Sequence, residues 1–248
     1  GTLLACTWDE EITEDLFACV GEELVQNQVD TLLGPGINIH RHPLNGRNFE
    51  YFSEDPFLTG KIAAAVVRGI AKKGVHATIK HFACNSQETG RHIVNAIVSQ
   101  RALREIYLKA FEIAVKEGKA QSIMTSYNPI NGFWTASAYD LNTTILRKEW
   151  GYEGIVMTDW WANINDVVEG GEGSKQRTAD MVRAQNDIYM VVNNNGAEIN
   201  AFGDDSVEAL DTGRLTVGEL QRSAMNICRF LMKTPAFGRE GNGVVKIP

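Results

Sequence analysis

The stretch Gly154-Ile155-Val156-Met157-Thr158-Asp159-Trp160-Trp161 decides how this chain is read. Ile155, Val156 and Met157 are consecutive apolar residues, two of them β-branched, which reads as a short strand buried on both faces. The run then delivers a carboxylate and two indoles where the strand ends. Parallel α/β barrels present reactive groups at the C-terminal ends of their strands. Asp159 is therefore a candidate nucleophile, and Trp160 and Trp161 are candidate walls for a sugar ring. The competing reading makes Asp159 the N-cap of a helix following the strand, a position that Asp favours.

Working outward, residues 121–127 read as the preceding strand, leading through Tyr127 into the turn-rich Asn128-Pro129-Ile130-Asn131-Gly132. Residues 75–82 form another, carrying Lys80-His81, and residues 31–39 a third, broken by Gly34-Pro35-Gly36. Helices separate them. One spans residues 7–28, opened by Thr7-Trp8-Asp9-Glu10 in capping-box form, with Leu16, Val20 and Leu24 on one face. A second starts at Pro56 behind a capping Asp55 and stops at Lys72-Lys73-Gly74. Others are predicted over residues 101–118 and 141–150. Past Asp159, the glycine-rich Gly170-Gly171-Glu172-Gly173-Ser174 reads as a lid or a mobile excursion, and residues 187–192 as a strand. Thr216-Val217-Gly218-Glu219 is a second capping box, opening a helix to residue 233.

This alternation argues for an α/β fold built from βα units around a parallel sheet. Polar residues at successive strand ends favour a TIM-like (β/α) barrel over a doubly wound sheet. Five or six strands are recognisable rather than eight. The barrel is therefore expected to be incomplete in this chain, with residues 1–235 forming the catalytic domain, its first strand missing, and residues 236–248 a tail or linker.

Composition narrows the function. Of 248 residues, 44% are hydrophobic and 22% charged, the balance of a globular domain. A net charge of -7 without any basic run argues against a nucleic-acid partner, and no apolar run approaches a membrane span. The start lacks the basic segment of a signal peptide, which leaves the compartment open, with the cytoplasm slightly favoured. Cys6, Cys19, Cys84 and Cys228 contain no C-x-x-C pair and read as buried free thiols. Asn142-Thr143-Thr144 matches a glycosylation triplet.

Four strand ends supply candidate site residues: Arg47, Lys80 with His81, Tyr127, and Asp159 with Trp160. Cations and a carboxylate make strong hydrogen bonds to hydroxyl groups, and aromatic faces cover the apolar side of a sugar ring. Each residue has an ordinary structural alternative, as a surface arginine, an ion-pair partner, a core histidine or a packing tyrosine. A metal-dependent barrel hydrolase is a second reading, because His40-Arg41-His42 places two imidazoles at a strand end.

The segments Leu33-Gly34-Pro35-Gly36-Ile37-Asn38-Ile39-His40-Arg41, Gly46-Arg47-Asn48-Phe49-Glu50, Ser53-Glu54-Asp55-Pro56, Lys80-His81-Phe82, Leu103-Arg104-Glu105-Ile106-Tyr107 and Thr158-Asp159-Trp160 resemble glycoside hydrolase family 3, in that family's order. The resemblance implies the family's catalytic barrel and a retaining, exo-acting β-glycosidase, by default a β-glucosidase, with β-xylosidase as an alternative. It implies Asp159 as nucleophile, Arg47, Lys80 and His81 as ligands of the nonreducing sugar, Met124 and Tyr127 beside them, and Trp160 walling the subsite. The partner would be an oligosaccharide or an aryl or alkyl β-glucoside, and the two-carboxylate route needs no cofactor. This chain departs from the family at two points. No Asp-Gly-Pro motif precedes Leu3, and Ala83-Cys84-Asn85-Ser86-Gln87-Glu88 does not match the loop in which one branch carries a catalytic His. The general acid is therefore expected from outside this chain, on the remaining domains of the enzyme carried by other polypeptide. An inactive sugar-binding fragment is the third reading.

Overall fold

The computed structural model describes residues 1–191 and 203–239. A short helix α1 (Thr2–Ala5) precedes α2 (Glu10–Gln26). The cap of α2 is Asp9, whose Oδ1 accepts from the Ile12 N–H at 3.0 Å, and not Thr7, whose hydroxyl instead accepts from Asp9 N–H. The buried stripe is also displaced by one position. Thr13 and Gly21 are buried with Phe17 and Leu24 partly so, whereas Leu16 stays 47% exposed. After the strand β1 (Thr31–Leu32) comes α3 (Pro56–Ala71), capped by Asp55 with Pro56 in its first turn, as the sequence predicts. Ile62, Val66 and Ile70 of α3 are buried, each contributing roughly 1.5–3 kcal/mol of burial free energy.

Strand β2 (His76–Phe82) leads through a long loop to α4 (Gln100–Ala102), one wide π turn (Leu103–Tyr107) and α5 (Lys109–Lys116). The single helix expected over residues 101–118 is therefore interrupted. Strand β3 (Ser122–Thr125) is followed by a hairpin, β4 (Pro129–Ile130) and β5 (Phe133–Trp134), where a plain loop was expected. A π-helix (Asp140–Glu149) replaces the α-helix expected over residues 141–150. Within it Asn142 is fully buried and donates to the Thr135 carbonyl, so the glycosylation triplet is inaccessible.

Strand β6 (Ile155–Met157) is buried throughout. No helix starts at Asp159, which removes the capping alternative. A turn follows, then a second hairpin, β7 (Ile164–Asp166) with β8 (Gly170–Ser174). Gly173 serves close packing in this hairpin: a Cβ there would lie 2.9 Å from the Trp134 indole and 2.8 Å from Asn163. The chain continues through α6 (Thr178–Arg183), α7 (Ser206–Asp211), α8 (Val217–Leu231), which carries the predicted Thr216–Glu219 capping box, and α9 (Pro235–Gly238). The expected tail thus begins with a helical turn, and residues 240–248 lie outside the described residues.

Strands β1, β2, β3 and β6 form one parallel sheet in that order. Residues 187–191 run on beside β6 through a parallel bridge from Met157 to Ile188, short of a full strand; residue 192 lies outside the described residues. Helices α2, α3 and α5 pack side by side outside the sheet. A Cβ on Gly69 of α3 would stand 2.4 Å from the Glu14 carbonyl of α2, so glycine sets the closeness of that pair. The result is a partial (β/α) barrel whose strand C-termini all open to one side. All four cysteines are free. The expectation that they are buried fails for Cys6, Cys19 and Cys228, which are exposed.

Candidate active site

A polar cavity of ≈ 210 Å³ opens at the C-terminal ends of the sheet. Leu33 and Arg47 reach it from the segment after β1, Lys80 and His81 from the end of β2, Arg91 from the loop beyond, Met124 from β3, and Asp159 and Trp160 from the end of β6. Tyr127 stands beside it, its ring 5.2 Å beneath the Arg91 guanidinium and 4.1 Å from the His92 imidazole.

Local structure explains how two neighbours on one strand share the cavity. Side chains along a strand alternate between faces, so Lys80 and His81 should point apart. The β2–β3 ladder, however, pairs Ile79 with Ile123 and Phe82 with Thr125, so Lys80 and His81 together oppose Met124 alone. This is a bulge, the device by which strands re-aim side chains beside active sites. The Asn38 side chain closes it, donating to the His81 carbonyl at 2.9 Å and accepting from His81 N–H at 2.8 Å.

Asp159 is buried at 8% exposure. Its Oδ1 accepts from Trp160 N–H at 2.8 Å, and its Oδ2 lies 3.7 Å from His81 Nε2. His81 is held neutral: burial pushes its pKa well below the usual histidine value, and Arg47, Lys80 and Arg91 push it the same way. Its Nδ1 faces the Tyr51 hydroxyl at 3.3 Å. Burial also lowers Lys80, a shift that Glu50 and Asp159 oppose and Arg47 reinforces. Burial is the largest influence on Arg47 and lowers it, but the hydrogen bond to Glu50 at 2.5 Å and the charges of Tyr51, Glu50 and Glu88 together outweigh it, and the net direction is upward. The Tyr127 phenol is raised, first by burial and then by the Asp159 carboxylate beside it, so it stays protonated at neutral pH.

Arg47, Lys80, His81, Met124, Asp159 and Trp160 are thus gathered in one place, with Tyr127 adjacent. Trp161 is not part of this wall; Lys175 lies 6.0 Å over its ring. Arg91 and Leu33 escape the sequence reading, since neither sits at a recognisable strand end. His40 and His42 do not converge on the cavity. His42 Nδ1 accepts from Leu44 N–H at 3.1 Å, and among the described residues no three His, Cys, Asp or Glu side chains are placed to hold a metal ion.

Fold and cavity define a barrel with a buried carboxylate facing cationic and aromatic groups at its strand ends, and the sequence relationships agree. The profile of the glycosyl hydrolase family 3 N terminal domain matches residues 2–230. The chain belongs to glycosyl hydrolase family 3. It is 58% identical over 240 residues to a beta-glucosidase of Ruminococcus albus, covering 97% of this chain and 25% of that protein. An exo-alpha-(1->6)-L-arabinopyranosidase of Bifidobacterium breve is 41% identical over 233 residues, covering 94% of this chain and 28% of that protein. Among solved structures, a beta-glucosidase from Paenibacillus barengoltzii superposes with a TM-score of 0.96 at 69% identity, covering 99% of this chain and 26% of that one. The chain spans about a quarter of the length of these relatives. Among the described residues, no helix is long and apolar enough to cross a membrane.

Proposed function

We propose that this chain is the nucleophile-bearing barrel of a retaining exo-β-glucosidase and that Asp159 forms the covalent glycosyl-enzyme. The observation that carries the reading is the single cavity into which Arg47, Lys80, His81, Met124, Asp159 and Trp160 converge from separate strand ends. One carboxylate oxygen of Asp159 bonds to the anomeric carbon as the bond from that carbon to the leaving oxygen breaks, and the leaving oxygen takes a proton from a general acid. Water then attacks the same carbon, giving its proton to the residue that served as general acid and now acts as base; Asp159 departs as carboxylate, and configuration is retained. Arg47, Lys80 and His81 bind the hydroxyl groups of the terminal sugar, with Met124 and Tyr127 beside them and Trp160 against the ring.

Among the described residues, Glu50 and Glu88, which flank the cavity's arginines, are both engaged by them, at 2.5 and 3.1 Å. The proton donor is accordingly assigned to polypeptide outside this chain, and residues 1–235 act as one domain of a larger enzyme. Glucose is the sugar favoured by the beta-glucosidase relatives; the arabinopyranosidase relative makes a panel of sugars necessary.

The test is covalent trapping in the polypeptide that carries this domain. An activated 2-deoxy-2-fluoro-β-glucoside should add one sugar to Asp159, located by peptide mapping, and Asp159→Ala should lower kcat by about a thousandfold or more. A label on another carboxylate, or wild-type turnover in the variant, would defeat the assignment.

A further inference from the structure

Glu88, in the loop after β2, touches both arginines of the cavity while lying outside it. Its Oε2 accepts from Arg91 Nη1 at 3.1 Å, and its Oε1 stands 3.8 Å from Arg47 Nε. That Oε1 is buried and makes no hydrogen bond. Arg47 is held from its other side by Glu50. The four side chains therefore alternate in sign, Glu50, Arg47, Glu88, Arg91, and the last guanidinium lies over the Tyr127 ring. Both arginines line the cavity, whereas Glu88 lines an adjoining hollow of ≈ 720 Å³.

We infer that Glu88 is a positioning residue that fixes the spacing of the two guanidinium groups facing the bound sugar. The inference rests on the reading of this cavity as the sugar site. Three cations, Arg47, Lys80 and Arg91, crowd a space of ≈ 210 Å³ and repel one another unless an anion stands between them. Arg47 has Glu50 as a second anchor. Among the described residues, Glu88 is the only carboxylate that pairs with Arg91. Removing its charge leaves Arg91 resting on the Tyr127 ring alone and Arg47 held from one side only. A guanidinium recognises hydroxyl groups through a rigid fork of donors, so loss of orientation weakens binding in ground state and transition state alike.

Glu88→Gln keeps the shape and removes the charge. With a 4-nitrophenyl β-glucoside, KM should rise about tenfold while kcat stays within about twofold, and the competitive inhibition constant of glucose should rise by the same factor as KM. Glu88→Asp restores the charge on a shorter arm and should recover part of the loss. Active enzyme is counted in each sample by fluoroglucoside titration, so that partial unfolding is not read as weak binding. A KM and a glucose inhibition constant within about twofold of wild type would overturn the role, as would a loss in kcat alone with both constants unchanged. The underlying site reading is checked separately: a wild-type enzyme whose activity survives Asp159→Ala defeats that reading, whereas an active wild type, a dead Asp159→Ala and a Glu88→Gln with unchanged affinity defeat only Glu88.

Discussion

The Asp159 carboxylate faces the Nε2 of a neutral His81 at 3.7 Å, and the other ring nitrogen of that histidine faces Tyr51. A neutral imidazole beside the carboxylate leaves Asp159, among the described residues, without a directly paired cation, so its charge remains available to an electron-poor carbon. The cations around it, Arg47 and Lys80, stand in the same wall.

Neutral His81 makes stability depend on pH. Its folded pKa lies well below the unfolded value, so as pH falls through about 6.5 the unfolded chain takes up a proton that the native imidazole refuses. The stabilisation is present above that value and is lost progressively as pH falls toward the folded pKa. His76 and His92, both lowered mainly by burial, add in the same direction. Urea midpoints between pH 7.5 and 5.5 should decline. His81→Asn should flatten the slope; an unchanged slope would mean that His81 titrates normally.

Arg47→Lys should raise KM for aryl β-glucosides by about tenfold or more. A lysine keeps the charge but cannot reproduce the guanidinium fork between Glu50 and Glu88. Steady-state kinetics decide this, and a KM within twofold of wild type would show that charge alone is read at this position.

Asp187 should matter to folding rather than to chemistry. Its carboxylate, with no side-chain exposure, meets Arg147 at 2.6 Å and also accepts from Val156 N–H and the Asn226 side chain. Asp187→Ala leaves Arg147 buried without its partner and should cost about 3–5 kcal/mol in urea unfolding. A loss below about 1 kcal/mol would mean that the arginine finds water.

Gly69→Ala tests helix spacing. The new methyl would meet the Glu14 carbonyl at 2.4 Å, forcing α2 away from α3 at a cost of about 1–3 kcal/mol. An unchanged thermal midpoint would show that α2 shifts freely.

Much of this architecture is legible in the sequence because its signals are local. Asp55-Pro56 announces α3 through capping chemistry, and the blocks around Ile79, Ile123 and Val156 announce buried strands through apolar runs. The failures share a cause as well. Glycines erase the alternation that would have marked β8, so residues 170–174 read as a loop, although at Gly173 close packing against Trp134 requires one. Thr7 and Asp9 both offer capping oxygens, and propensity does not choose between them. Within the site, Lys80 and His81 are visible as polar residues on a strand, but their meeting in one cavity depends on a bulge set by the β3 partner. Arg91 is fixed by Glu88 and Tyr127 across a loop, a tertiary arrangement that carries no periodic signature.

The ladder order β1, β2, β3, β6 has a kinetic corollary. Arg47 and Asp159 enter one cavity although more than a hundred positions of chain lie between them, and each adjoining pair of strands must close a long crossover first. Parallel pairings of this kind are slow to form. The cavity is therefore completed late in folding, and a chain arrested midway, or nicked between β2 and β6, holds helices and part of a sheet but no complete cavity. Recovered ligand affinity would then serve as a gauge of refolding yield that far-ultraviolet dichroism, satisfied by the early helices, would overstate.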